Sequence, residues 1–347
     1  MKSNPFDPYL KNEKFALDPP PPWRDFRKRC LPRPEPIKGV APFGPNEEEE
    51  LRIRATRHYL PDDSPEIKVI WAARVLRRPI LITGDPGAGK SSLAYVAAHY
   101  LGLGPVLRWN INSRSTLDRG LYHYDAIRRM QKIQEQRGAG DEAGARVTLE
   151  NHGEFFRLGP LGTALLPREI PRVLLIDEID KSDLDLPNDL LHVLEEGRYE
   201  IPELVRLGAD VEVKVPTIDE RGDSTTIIGG KVRCYEFPLI LMTSNGERDF
   251  PPAFLRRCLR ITIQPPTQEI LEKIVAEQMN VSGFEGIPKA VLERLAGEMV
   301  TKLRGKNTTD QLLSTFFLQA ERGFDQTIEP HTNRDVTQSD VAPSGEK

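Results

Sequence analysis

The run Gly84-Asp85-Pro86-Gly87-Ala88-Gly89-Lys90-Ser91 constrains this chain more than any other feature in it. It is a complete G-x-x-x-x-G-K-S. The apolar tetrapeptide Ile80-Leu81-Ile82-Thr83 precedes it, and Leu93, Val96, Ala97 and Tyr100 follow at helical spacing. Glycines at these points let successive backbone N–H groups turn inward on an anion, and the helix that follows adds the positive end of its dipole. The pattern predicts a phosphate-binding loop from Gly84 through Ser92. Lys90 would reach the β- and γ-phosphates of a nucleotide, and the Ser91 hydroxyl would ligate Mg²⁺.

A second run, Val173-Leu174-Leu175-Ile176-Asp177-Glu178, places two carboxylates at the end of four apolar residues. A buried strand emerging at the phosphate site would present Asp177 to Mg²⁺ through water, and Glu178 to the attacking water as general base. Similar apolar runs occur at 106–109, 239–242 and 260–263, with helical patterns between them. One such helix opens at Ser64-Pro65 and carries Ile67, Ile70, Trp71 and Val75 on one face up to Pro79. Continuous apolar strands alternating with helices describe an α/β fold, a P-loop NTPase core with a parallel sheet between helices. After Pro265-Pro266 the pattern turns purely helical, as in a small all-helical lid domain.

The flanks read differently. Residues 1–46 hold eleven of the thirty prolines, which excludes long helices and central strands and predicts an extended arm over 1–48. Trp23 and Phe26 are either docking points of that arm or stray aromatics. A polar tail over 327–347 lacks apolar periodicity and is expected to be disordered. The net charge of −4 gives no field for nucleic acid, and the basic cluster Arg24, Arg27, Lys28, Arg29 and Arg33 is followed by Glu47 to Glu50. Cys30, Cys234 and Cys258 form neither a disulfide framework nor a metal-ligand spacing. With no apolar leader or membrane-length run, a soluble, cytoplasmic protein is expected.

With the phosphate loop and the Asp177-Glu178 strand in place, the chain resembles the AAA+ ATPases from about Glu49 to Gly323. The resemblance implies ATP and Mg²⁺ as cofactors. It makes Asn245, in Met242-Thr243-Ser244-Asn245, the sensor 1 asparagine. It also makes Arg257, with Arg256 as the next candidate, an arginine finger that enters a neighbouring subunit's site. The usual sensor 2 position is filled by a small polar residue, so Arg304 or Lys306 would have to substitute. Inserts near 147–167, containing Gly153 to Leu161, and near 201–235, read as a hairpin, are placed as in the MoxR-type group. The implied organisation is an ATPase core over 49–264 and a lid over 265–326. The implied assembly is a homo-oligomeric, hexameric ring that remodels or matures a partner of von Willebrand A type. The alternative is a slowly hydrolysing switch in a defence or stress-signalling complex. A nucleic-acid motor is disfavoured by the charge balance and the lack of an aromatic-basic stripe.

Overall fold

The computed structural model describes residues 19–29, 34–56, 58, 60–61, 64–138, 149–219, 222–267, 269–270 and 273–274. All but the first residues of the expected lid, the expected tail and both sensor 2 candidates, Arg304 and Lys306, lie outside them.

Helices α1 (Glu47–Ala55) and α2 (Pro65–Leu76) lead into β1 (Ile80–Thr83), and the glycine-rich loop then opens α3 (Ser92–Leu101). Strand β2 (Leu107–Asn110) and short helix α4 (Leu117–Leu121) run into a first insert. It comprises β3 (Tyr122–Tyr124), α5 (Ala126–Gly138) and β4 (Phe156–Leu158). Helix α6 (Pro160–Ala164) leads to β5 (Val173–Asp177), and α7 (Leu186–Glu196) follows it. A second insert holds β6 (Arg198–Glu200), α8 (Pro202–Val205), β7 (Glu212–Pro216), β8 (Ser224–Ile228) and β9 (Lys231–Arg233). Strand β10 (Leu239–Ser244), α9 (Pro252–Leu255) and β11 (Leu259–Thr262) complete the described core.

The central sheet is five-stranded in the order β11-β1-β10-β5-β2, and every pair in it is parallel. Its strands are apolar on both sides because both sides are covered. Ile80, Ile82, Val173, Leu175, Leu239 and Leu241 pack with α1, α2 and α3. The alternate residues Leu81, Leu174, Ile176, Ile240 and Met242 pack with α6, α7 and the second insert. The expected parallel sheet between helices is therefore the fold observed.

Local chemistry explains the helix ends. Ser64 caps α2 by accepting the Ile67 N–H at 3.4 Å, with Pro65 in the first turn. The helix stops at Leu76, earlier than Pro79 alone would require, because Arg77 adopts the left-handed conformation. Helix α7 ends at Gly197, also left-handed, a conformation that glycine adopts without cost.

The first insert begins earlier than the expected 147–167. Its antiparallel pair, β3 with β4, starts at Tyr122, and 160–164 already belong to a core helix. A three-residue strand reading Tyr-His-Tyr has too little alternation to announce itself. The second insert contains the expected hairpin, with Glu212 opposite Ile228 and Pro216 opposite Ser224. Val213 and Val215 point into the core.

The arm docks through Phe26, which is buried and stacked on Phe237 at 5.1 Å, while Trp23 stays 69% exposed. Arg24 donates to the carbonyls of Leu194 and Glu195 at the end of α7 and to that of Arg77 at the end of α2. Arg27 and Arg77 both pair with the buried Glu236.

Candidate nucleotide site

The loop between β1 and α3 has the backbone that its glycines allow. Gly87 and Gly89 have φ of 79° and 88°, in the region that side chains avoid. Gly84 is required by proximity as well, because an added Cβ would collide with the carbonyl oxygen of Ile263, just past β11. Asp85 and Pro86 form the outer turn, and Ala88 tucks into the core beneath it. Ser91 stands at the N-cap position of α3 without a side-chain capping bond, and Ser92 is the helix's first residue. The Lys90 ammonium donates to the carbonyls of Gly84 and Asp85, at 2.8 Å each. Burial lowers the lysine from its usual value, and nearby acids oppose that, Asp180 foremost and then Asp85, Asp177 and Glu178.

Asp177 ends β5 and is 8% exposed. Its Oδ1 accepts from Ser91 Oγ and from Thr243 Oγ1, both at 2.7 Å. The two expected magnesium ligands are thus in direct contact. Their oxygens fit a hard cation, which would draw its other ligands from nucleotide and water. Among the described residues no cluster of three or more His, Cys, Asp or Glu could hold a metal ion by itself. Glu178 follows with φ 61° and ψ 50°, a conformation that costs a residue with a side chain about 1–2 kcal/mol. The Thr243 hydroxyl holds it there by accepting the Glu178 N–H at 2.8 Å. The Glu178 carboxylate is half-exposed and pairs with Lys181 at 2.8 Å.

Strand β10 lies between β1 and β5, so the turn after it opens between the glycine-rich loop and the two acids. Asn245 is in that turn, and its N–H donates to Asp180 Oδ2 at 2.8 Å. The structure therefore brings together the loop, Lys90, Ser91, Asp177, Glu178 and Asn245.

Arg256 and Arg257 are elsewhere. Arg257 bonds to Glu195 of α7 at 2.5 Å and to the Ala253 carbonyl at 3.1 Å, and Arg256 to the Pro252 carbonyl at 3.2 Å. Both precede β11, whose first residue, Leu259, is opposite Ile80, while Thr262 is opposite Thr83 beside the loop. That separates the arginines from the loop end of their own sheet by at least roughly 10 Å of strand.

A family model described as AAA domain (dynein-related subfamily) matches residues 79–258, more than half of the chain. The chain belongs to this AAA family. The match spans the glycine-rich loop, both acids, Asn245 and the arginine pair. An AAA domain is a nucleotide-binding ATPase module, so the expected AAA+ assignment stands. Among solved structures the chain is similar to domain III of the replication initiation protein DnaA from Thermotoga maritima. Identity is 13% and the TM-score 0.33, over 80% of this chain and 88% of that one. No curated protein matches the chain. Among the described residues, no helix is long and apolar enough to cross a membrane.

Several residues of this AAA site were not singled out in the sequence. Thr243 bonds to both acidic positions, and Arg108, from edge strand β2, pairs with Asp177 Oδ2 at 2.9 Å. A cavity of about 230 Å³ adjoins the loop, walled by His58, Ala88, Gly89, Ile263, Ile270 and Ile274 among others. Burial pushes the His58 imidazole down, and nearby Glu66 opposes that. None of these contacts has a contiguous motif, because each is made by strand order or by chain segments far apart in sequence.

Proposed function

We propose that this AAA protein is a magnesium-dependent ATP hydrolase of MoxR type, working as a homo-oligomeric ring, hexameric by the resemblance. In it, hydrolysis drives remodelling or maturation of a partner protein, for which the same resemblance points to a von Willebrand A type. The hydrolytic part is carried by one observation, the convergence of Lys90, Ser91, Asp177, Glu178 and Asn245 at the ends of three adjacent strands. Lys90 and the loop backbone bind the phosphates, and the cavity beside His58 takes the base. Ser91 and Asp177 would hold a magnesium ion, which would supply charge neutralisation at the phosphoryl group. Glu178 accepts a proton from the attacking water, and Asn245 orients it.

The MoxR grouping is supported by the two inserts, one between α4 and α6 and one between α7 and β10. A trans role for Arg257 is supported by its place at the far end of the sheet from its own loop. A cytosolic setting is consistent with Cys234 and Cys258, both buried thiols. The net charge of −4 favours a protein client over nucleic acid.

ATP turnover with and without Mg²⁺ tests the chemistry. Glu178→Gln should retain nucleotide and lose turnover by at least about 10²-fold, and near-normal turnover would remove Glu178 as the base. Proteins retained with ATP by that variant test the partner: a von Willebrand A-type protein among them supports the assignment, and its absence sinks it. The Lys181–Glu178 pair favours a second reading, a slow nucleotide switch, because an ammonium on the base competes with water for its oxygen. Continuous turnover raised by a partner would exclude that reading.

A further inference from the structure

Beyond the residues already given roles, the turn that follows Glu178 contains a buried acid. Asp180 is 3% exposed, yet it has no cationic side chain bonded to it among the described residues. Its Oδ2 accepts two backbone N–H groups, from Asn245 at 2.8 Å and from Glu247 at 3.2 Å. Its Oδ1 is buried with no hydrogen-bond partner among the described residues. A carboxylate buried in this way is costly, and two N–H donors offset the cost only in part. Knitting a turn would not by itself require such a group at the phosphate site.

Strand order explains what the carboxylate does. Because β10 is paired with β5, the turn after β10 lies against the turn after β5. The β10 turn contains Gly246 at φ 78°, a residue that does little to fix its own backbone. Asp180 grips it on both sides of that glycine. Both bonds go to main-chain groups, so Asp180 does not engage the Asn245 side-chain amide itself.

We propose that Asp180 is a positioning residue for Asn245, its carboxylate setting the turn that carries the asparagine between the glycine-rich loop and the acids of β5. This rests on the reading of Asn245 as the residue that orients water for ATP hydrolysis.

The test uses the full chain, with turnover and nucleotide affinity measured separately for each variant. Asp180→Ala removes the acceptor and should lower kcat by about 10- to 100-fold, the usual cost of losing a group that orients an active-site ligand. Nucleotide affinity should stay within a few-fold of the parent. Asp180→Asn keeps an acceptor oxygen and should recover most of the rate. Asp180→Glu keeps the charge but misplaces the oxygens, so it should fall with the alanine variant; it also serves if that variant fails to fold. The decisive arm combines Asp180→Ala or Asp180→Glu with Asn245→Ala. A residue acting through Asn245 adds little once the asparagine is gone, so the double variant should match Asn245→Ala. Losses that multiply, an asparagine variant as slow as the alanine one, or a loss confined to nucleotide affinity would each overturn the proposal. Failure of the underlying reading looks different: Asn245→Ala alone would then keep its full rate, and both would fall. If Asn245→Ala is slow while Asp180→Ala and Asp180→Glu are not, only the positioning role is lost.

Discussion

One hydroxyl joins the two acids at the end of β5: Thr243 Oγ1 donates to Asp177 and accepts the Glu178 N–H. Thr243→Val keeps the side-chain shape and removes both bonds, leaving a buried donor unsatisfied. The variant should lose about 1–3 kcal/mol of stability, read by chemical denaturation, and Thr243→Ser should recover most of it. Its turnover should fall with the stability, because the left-handed backbone at Glu178 loses its partner. Lys90→Ala is the simpler case. The ammonium is the charged group aimed into the loop, so ATP binding should be abolished in a direct titration, and wild-type affinity would refute the phosphate-loop assignment. Residues of this sort divide cleanly by legibility. Lys90, Asp177 and Glu178 belong to contiguous motifs and could be read from sequence. Thr243, Arg108 and Asp180 act across strands or between turns, and nothing in one sequence states which strands are neighbours.

At the level of elements, the inserts are part of the core rather than additions to it. Arg172, just before β5, is 1% exposed and pairs with Asp219 of the second insert at 2.8 Å. It also donates to the Pro105 carbonyl ahead of β2, so a single guanidinium ties three segments together. Asp219→Ala would strand that charge in the interior and should cost about 3–5 kcal/mol, visible as a lower denaturation midpoint. A loss below 1 kcal/mol would mean that the insert is held by its valines alone. Periodicity announced the central strands within about two residues, because buried parallel strands are continuous apolar runs. It misplaced the first insert because β3 is too short and too polar for any period to emerge. It left the arm undecided, since Trp23 and Phe26 are chemically alike. Only the tertiary structure shows that Phe26 has Phe237 to stack on and Trp23 remains largely in solvent.

Seen whole, the molecule has unlike ends. Five parallel strands carry the nucleotide loop and its acids at one end and Arg257 toward the other. Arg257→Ala should leave ATP binding intact and lower turnover by about 10³-fold if the finger's usual worth applies. Mixed with Glu178→Gln after subunit exchange has been verified, it should regain activity that neither variant has alone, as sites form that join an intact base to an intact arginine. No recovery despite exchange would place the catalytic arginine elsewhere. The two-ended sheet also has a consequence for quantity. If every copy lends its arginine to one neighbour and borrows from another, contacts must run head to tail. The rate per molecule should then climb with protein concentration and level off only above the dissociation constant of the assembly. Below that threshold a solitary copy would be a reservoir of bound nucleotide, and local abundance would act as the throttle.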